Sequence, residues 1–435
     1  MSVRVRLENE LEVLKTHFLT KITWFSIIKS TSMVLRGLVF SSWKAWLTGM
    51  YFVRKPWGTP IPTGFLSHPY IFYSFILNLI NQCLWIDMQI KLSEKAKNFS
   101  LTEQILSNAV FFASFTFDIY FRFNMYRLNI KLANLLVALE EPRLRPLDHK
   151  LSAVWTFHRI SLRIFTILRY LPTTTFVWSF VTETQSISDS KFLIPRSWHF
   201  IAFTLFAAVP HVTTLIFSYD LIVETTFQFL WTFEDFCAHL EENILDHDGR
   251  KMGKQVDSTT FIEKFDDINN LASNYDQVIG PIILGVVARS VFSVIHSTTT
   301  IVLNTGNTLN LHTGYHVIQL VVELSQFVIL KLGTEVHQRI SFWKQKLTKA
   351  CLLSSSNLKP EAYPPQTPSL NDSKNSLNVT DDDTSSDADT RISLTRVSNQ
   401  LRQLDDLVKC ICNWEWKISA GGIFYVDSKL LSGVT

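Results

Sequence analysis

Charge is scarce in this sequence. Only 18% of its 435 residues are Asp, Glu, Lys or Arg, against about 25% in a typical soluble domain. Five cysteines scattered through so long a chain exclude a disulfide-built secreted scaffold. With 41 basic and 38 acidic residues the net charge is +3, which gives no bulk electrostatic case for nucleic acid. The first residues, MSVRVRLENELEVLK, lack the apolar core and small-residue cleavage site of a signal peptide. No glycine-rich loop suits a phosphate, no His, Glu and Cys group has metal-ligand spacing, and the twelve histidines suggest no nucleophilic triad. Cys410 and Cys412 are two positions apart, so on a helix they point in different directions. Nothing supports an enzyme, and no cofactor is expected.

Apolar residues are plentiful. They make up 47% of the chain, with 33 Phe, and mean hydropathy is +0.14 even though a polar stretch near the C-terminus dilutes it. Six runs, at 67–90, 105–126, 164–183, 197–223, 277–303 and 315–333, are long and apolar enough to cross a bilayer core of roughly 30 Å as helices. They do not alternate, so they are not barrel strands. The sequence therefore reads as an all-α, polytopic transmembrane bundle in contact with membrane lipid. A seventh stretch, 33–53, carries Arg36 and Lys44 on one face and reads as an interfacial amphipathic helix.

Lys and Arg set the orientation. Segments 1–65, 127–163 and 224–276 hold 20 of them, while 91–104, 184–196 and 304–314 hold 5, which places the N-terminus and the large loops in the cytoplasm. The chain divides into an N-terminal segment 1–65, four spans within 66–223, a helical loop 224–276, and two spans within 277–333. A helix extension 334–351 follows, then an acidic Ser/Thr/Pro loop 352–394 with the composition of disorder, then 395–435. Gly280-Pro281 reads as the start of the fifth span, with proline in the first helical turn. Asn98, in a short outer loop, heads a glycosylation sequon on the correct side for use.

The segment from Ile418 to Thr435, ISAGGIFYVDSKLLSGVT, resembles the C-terminal signature of insect gustatory receptors. The match rests on Ala420, Gly421, Gly422, Phe424, Tyr425, Asp427, Leu430 and Leu431. The short outer loops, the helical loop after the fourth span and the basic segment after the second are also similar to that family. The resemblance implies a ligand-gated cation channel in the plasma membrane of sensory neurons, a homo- or hetero-tetramer that detects a small-molecule tastant such as a sugar or a bitter compound. In that family the signature leads into the last, pore-lining helix. This sequence ends at Thr435, where that helix is expected to begin. Two other readings of the spans stand beside it: a seven-span receptor coupled to G proteins, in which 33–53 crosses the membrane, and a solute transporter.

Charged groups at membrane depth cost about 2.5–3.5 kcal/mol each on insertion scales, so they are the informative positions. Asp118 and Arg122 are four apart in the second span and are expected to pair. Arg289 and Glu323 lie at matching depths, about 18 Å above the inner end of one span and about 12 Å below the outer end of the next, and are expected to approach. That pair serves either as a bundle-holding ion pair or as part of a pocket. Candidate ligand contacts are Asn78, Asn81, Gln82, Trp178, His211, His296, Gln319 and Glu323. Amides, a carboxylate and aromatic rings together suit a polyhydroxylated ligand. The same groups also serve as hydrogen-bonding glue between helices. Pro172 and Pro210 are expected to kink their helices.

Overall fold

A computed structural model describes Leu38 and residues 42–51, 69–95, 101–139, 196–246, 258–304, 311–326, 328–357 and 402–426. The described chain is almost wholly helical. The helices are α1 (Pro69–Lys95), α2 (Leu101–Arg127), α3 (Asn129–Ala138), α4 (Arg196–Phe203), α5 (Val209–Asp246), α6 (Ser258–Asn304), α7 (Leu311–Gln326) and α8 (Val328–Asn357). A further helix, α9, covers 402–413, and a two-stranded antiparallel hairpin pairs β1 (Ser419–Ala420) with β2 (Phe424–Tyr425). The chain forms two compact units. Of the described residues, the first holds those up to Trp231 together with those within Leu271–Thr334 and from Lys417 onward. The second holds those within Thr232–Asn270 and Glu335–Trp416.

In the first unit the helices are turned inside out relative to a soluble protein. On α1 the buried face carries Tyr70, Ser74, Asn81 and Gln82, while Phe72, Phe75, Leu79, Ile86 and Ile90 are exposed. On α2 the buried set includes Asp118, Arg122 and Asn124, and Phe112, Ile119 and Phe123 face outward. On α6 Arg289, Ser290, Ser293 and Ser297 are buried, and Val291, Phe292 and Ile295 are exposed. Water would drive these faces the other way. A hydrocarbon surround makes this arrangement favourable, because only the protein interior can satisfy a polar group there. Among the described residues, Ile201–Leu245 and Ser258–Val302 have the length and hydropathy to cross a membrane. In α1 and α2 the mid-helix polar groups lower the mean.

The helical loop 224–276 continues the fourth span and leads into the fifth, so α5 runs unbroken through 223/224 and α6 through 276/277. α8 runs to Asn357, so the first six residues assigned to the acidic loop are helical. Pro281 lies in the interior of α6, not in its first turn. Its missing N–H leaves the helix one hydrogen bond short, and the hairpin packs against this point. A Cβ on Gly280 would lie 3.0 Å from the Ser419 carbonyl oxygen and 3.1 Å from the Gly421 nitrogen. Tyr120 of α2 donates its hydroxyl hydrogen to the Pro281 carbonyl at 3.1 Å.

The hairpin's tight reversal uses glycine for a stated reason. Gly421 and Gly422 have φ of +61° and +76°, the left-handed region that costs a residue with a Cβ roughly 1–2 kcal/mol. The other side of the hairpin meets α8 at Gly333, where a Cβ would run into the Val426 carbonyl group, 2.9 Å from its carbon. The described part of 33–53 also packs inward. Leu38, Ala45, Met50 and Tyr51 are buried, and the Tyr51 ring lies 5.1 Å from that of Phe217. This part of the segment packs against the bundle. Arg36 is outside the described residues.

The second unit follows soluble-protein rules. Val336, Ile340, Trp343, Leu347 and Ala350 form a buried stripe on α8, with Gln345, Thr348 and Lys349 on the exposed face. Phe236, Phe265 and Trp414 stack into an aromatic core with Phe233 and Phe261. Arg339 pairs with Glu234 at 2.9 Å, and Lys346 with Glu241 at 2.5 Å. Each pair spans the same 105 positions, 234 to 339 and 241 to 346, so α5 and α8 run parallel here. Lys344 caps the C-terminal end of α9, donating to the carbonyls of Cys412, at 3.0 Å, and Trp414.

Two outcomes are expected. Gly333→Ala forces a methyl group onto the Val426 carbonyl and destabilises the protein by about 1–3 kcal/mol. Gly314→Ala, where a Cβ meets open space, gains about 1 kcal/mol from helix propensity. Thermal unfolding in detergent compares them. Burial and the Asp405 carboxylate push the Cys351 thiol up to about 11. Maleimide labelling at neutral pH is therefore slow at Cys351 and accelerates only as pH approaches that value, while exposed Cys410 is accessible throughout. Mass spectrometry of the labelled peptides reads both.

Candidate functional site

Two buried polar assemblies lie in the first unit. The first joins α6 to α7. Arg289 Nη1 bonds to Glu323 Oε1 at 2.6 Å. One turn on, Gln319 donates its amide hydrogen to the Ser293 hydroxyl at 2.9 Å. Beyond that, the His296 and His316 rings meet edge-on, with centroids 5.0 Å apart. Positions 289, 293 and 296 rise along α6 while 323, 319 and 316 descend along α7. The two helices are therefore antiparallel and joined by one polar ladder. Spacings of three and four put each set on a single helix face. Three ligand candidates, His296, Gln319 and Glu323, thus face partners on the neighbouring helix. Ser293 and His316 were not singled out from the sequence, although the same spacing would have found them.

The second assembly lies among α1, α2 and the start of α5. Between α4 and α5 the chain makes a π-helical turn, Thr204–Ala208, where Val209 N–H reaches five residues back to the Thr204 carbonyl. Pro210, which follows, has no N–H to give, and a widened turn accommodates that loss. His211 comes next. Its Nδ1 forms a hydrogen bond with Asp118 Oδ2 at 2.9 Å. The Trp85 ring of α1 packs edge-on against His211 at 5.5 Å and against Phe203 at 5.3 Å.

Among the described residues Asp118 and Arg122 make no direct hydrogen bond to each other, contrary to the expectation from their spacing, although the two groups still attract electrostatically. Asp118 is taken by His211. Arg122 Nη1 turns to the end of the short helix 42–47, where it donates to the carbonyls of Thr48 at 3.3 Å and Gly49 at 3.5 Å. Tyr70 donates to the Trp46 carbonyl, Tyr73 to that of Leu47, and Ser74 to that of Gly49. The last carbonyls of a helix have no internal donors and carry partial negative charge. A buried guanidinium and three hydroxyls supply what that end lacks. Gly49, at φ +73°, lets the chain pass close against Ser74, whose Cα would lie 2.9 Å from an added Cβ.

Among the described residues, several buried polar atoms of this assembly have no hydrogen-bond partner. They are both side-chain polar atoms of Asn81, Gln82 Oε1, Asp118 Oδ1, and Nε and Nη2 of Arg122. Asn78 lies at the edge, and its Oδ1 accepts from Gln82 Nε2 at 3.3 Å. Of the remaining site residues, Trp178, Asn98, Asp427, Leu430 and Leu431 are outside the described residues. Ala420 is buried in the hairpin, whereas Gly421, Gly422 and Tyr425 are exposed, and Phe424 opens β2. Among the described residues no three or more His, Cys, Asp or Glu side chains are grouped to hold a metal ion.

A scan of protein-family models and a search of curated proteins return no match. Solved structures do match. The insect olfactory receptor OR5 from Machilis hrabei in complex with eugenol superposes with a TM-score of 0.62 at 13% identity, covering 92% of this chain and 94% of that one. A second structure of the same receptor gives a TM-score of 0.57 at 12% identity, covering 92% of this chain and 93% of that one. The chain is an all-α, polytopic membrane bundle with the fold of an insect olfactory receptor.

Loss of one partner from the buried α6–α7 ion pair leaves an uncompensated charge. Arg289→Leu is expected to cost about 3–5 kcal/mol, and Arg289→Leu with Glu323→Leu to recover most of it. Thermal unfolding of the purified variants in detergent measures both.

Proposed function

We propose that the chain is a subunit of a ligand-gated, cation-selective chemoreceptor channel of the insect gustatory type. It detects a small molecule, a sugar or a bitter compound, from the plasma membrane of a sensory neuron. The observation that carries the reading is the fold likeness to an olfactory receptor over 92% of the chain. The signature residues of 418–435 add to it, because they favour the gustatory branch over the olfactory one. In this reading the N-terminus is cytoplasmic, and four subunits, identical or mixed, surround one pore.

The residues offered to a ligand are Asn78, Asn81, Gln82 and His211: among the described residues Asn81 and Gln82 keep polar atoms without partners, Asn78 accepts from Gln82, and His211 bonds to Asp118. The α6–α7 ladder serves this reading as the rigid wall against which the other helices move. Side-chain amides offer both donors and acceptors to hydroxyl groups, and Trp85 offers an apolar face.

Patch recording tests the reading. The protein, expressed from its native transcript alone and with candidate partner subunits, is expected to give cation currents evoked by sugars or bitter compounds without added nucleotide. Currents that appear only through a G protein, or solute uptake without current, would sink it. An N-terminal tag is expected to be reached by antibody only after permeabilisation of the cells.

A further inference from the structure

We infer that the space enclosed by α1, α2 and the loop 48–51 is a binding site for hydroxyl groups. Two tie points bound it. At one end Trp85 of α1 meets His211, which bonds to Asp118 of α2. At the other, Ser74 of α1 and Arg122 of α2 both donate to the Gly49 carbonyl. Between these ties α1 advances eleven residues, about 16 Å, whereas α2 advances four, about 6 Å. Asn81 and Gln82 lie on the longer wall, and Asp118 and Arg122 at the ends of the shorter one.

These four side chains are at least nine-tenths buried, at 0%, 9%, 1% and 5% exposure. Among the described residues Asn81 has no partner for its amide nitrogen or its oxygen, Gln82 none for Oε1, Asp118 none for Oδ1, and Arg122 none for Nε and Nη2. Each such group left dry is costly in a low-dielectric interior. The set is mixed, with acceptors on Asn81, Gln82 and Asp118 and donors on Asn81 and Arg122. An anion would face the Asp118 carboxylate and a cation the Arg122 guanidinium, so the occupant is neutral. It must also donate and accept at once, which is the chemistry of a hydroxyl oxygen. That oxygen belongs either to ordered water or to a small polyol.

Arg122 gives the site a reach beyond itself. Its Nη1 holds the end of helix 42–47, while its Nε and Nη2 face the occupant. Occupancy therefore steadies the seating of that segment. The inference rests on the receptor reading, which offers the same Asn81 and Gln82 to a ligand; currents test that reading, and the thermal midpoints below test the site.

The test uses the full chain in lipid nanodiscs. Asn81→Leu removes the unpartnered amide, and Asn81→Ser restores a hydroxyl in a smaller side chain. If hydroxyl groups fill the site, Asn81→Leu lowers the thermal midpoint by about 2 °C or more, with Asn81→Ser between it and the native protein. Adding myo-inositol, with cyclohexanol as the control ring, separates the two sources. A midpoint raised by myo-inositol alone, and only when Asn81 is present, assigns a polyol. No such shift, with Asn81→Leu still destabilising and water density at the site in an electron-microscopy map, assigns water. If Asn81→Leu unfolds at or above the native midpoint and myo-inositol does nothing, the space is dry and the proposal is overturned. A shift produced by cyclohexanol and not by myo-inositol overturns it equally.

Discussion

A polar group inside a bilayer has no water to fall back on. That constraint organises the first unit more than any apolar contact does. Hydrocarbon accepts an exposed Phe on α1 as readily as a buried one, so apolar burial does little to fix how these helices face one another. The mid-helix Asn, Gln, Ser, His, Asp and Arg side chains set the facing, because each must turn toward protein. The α6–α7 ladder is the clearest product: an ion pair, an amide–hydroxyl bond and a histidine contact share one face of each helix. The outward positions on the same helices are left to apolar residues such as Val291, Ile295 and Val321.

The second unit obeys the opposite rule. There α8 buries its aliphatic stripe and presents Gln345 and Lys349, and an aromatic core centres on Trp414. Helices α5, α6 and α8 each contribute residues to both units, so a single helix changes its burial logic partway along. The hairpin after α9 meets glycine on both sides, Gly280 on α6 and Gly333 on α8. Backbone-to-backbone contact of that kind depends on the absence of a side chain, which explains why small residues occupy these helix interiors.

Fold class was legible in the sequence because length and hydropathy are local properties. The approach of Arg289 to Glu323 could be anticipated from depth, since a bilayer supplies a ruler along the helix axis that a soluble protein lacks. What depth does not give is the angle around the axis and the identity of a third partner. Asp118 and Arg122 are spaced to pair, yet each finds a better partner far away in sequence: His211, turned by the π-helical segment, and the carbonyl end of helix 42–47. Neither is encoded near α2. Pro281 misled for a similar reason. Proline usually marks a helix start, but packing of the hairpin against α6 keeps that helix continuous through it. Of the eight ligand candidates, composition alone could not tell which reach a partner on a neighbouring helix, as Gln319 and Glu323 do on α6.

The fixed separation of the two ion pairs between α5 and α8 carries a consequence for how this protein can change. Both pairs depend on helices in step, Glu234 with Arg339 and Glu241 with Lys346. Loops between helices can lengthen or shorten without disturbing them. One residue gained or lost within 234–241 or 339–346 would turn everything beyond it by about 100°, carrying one charge of a pair off the shared face. Composition and loop length can therefore change widely without disturbing either pair. Within these two short stretches, length is expected to vary least.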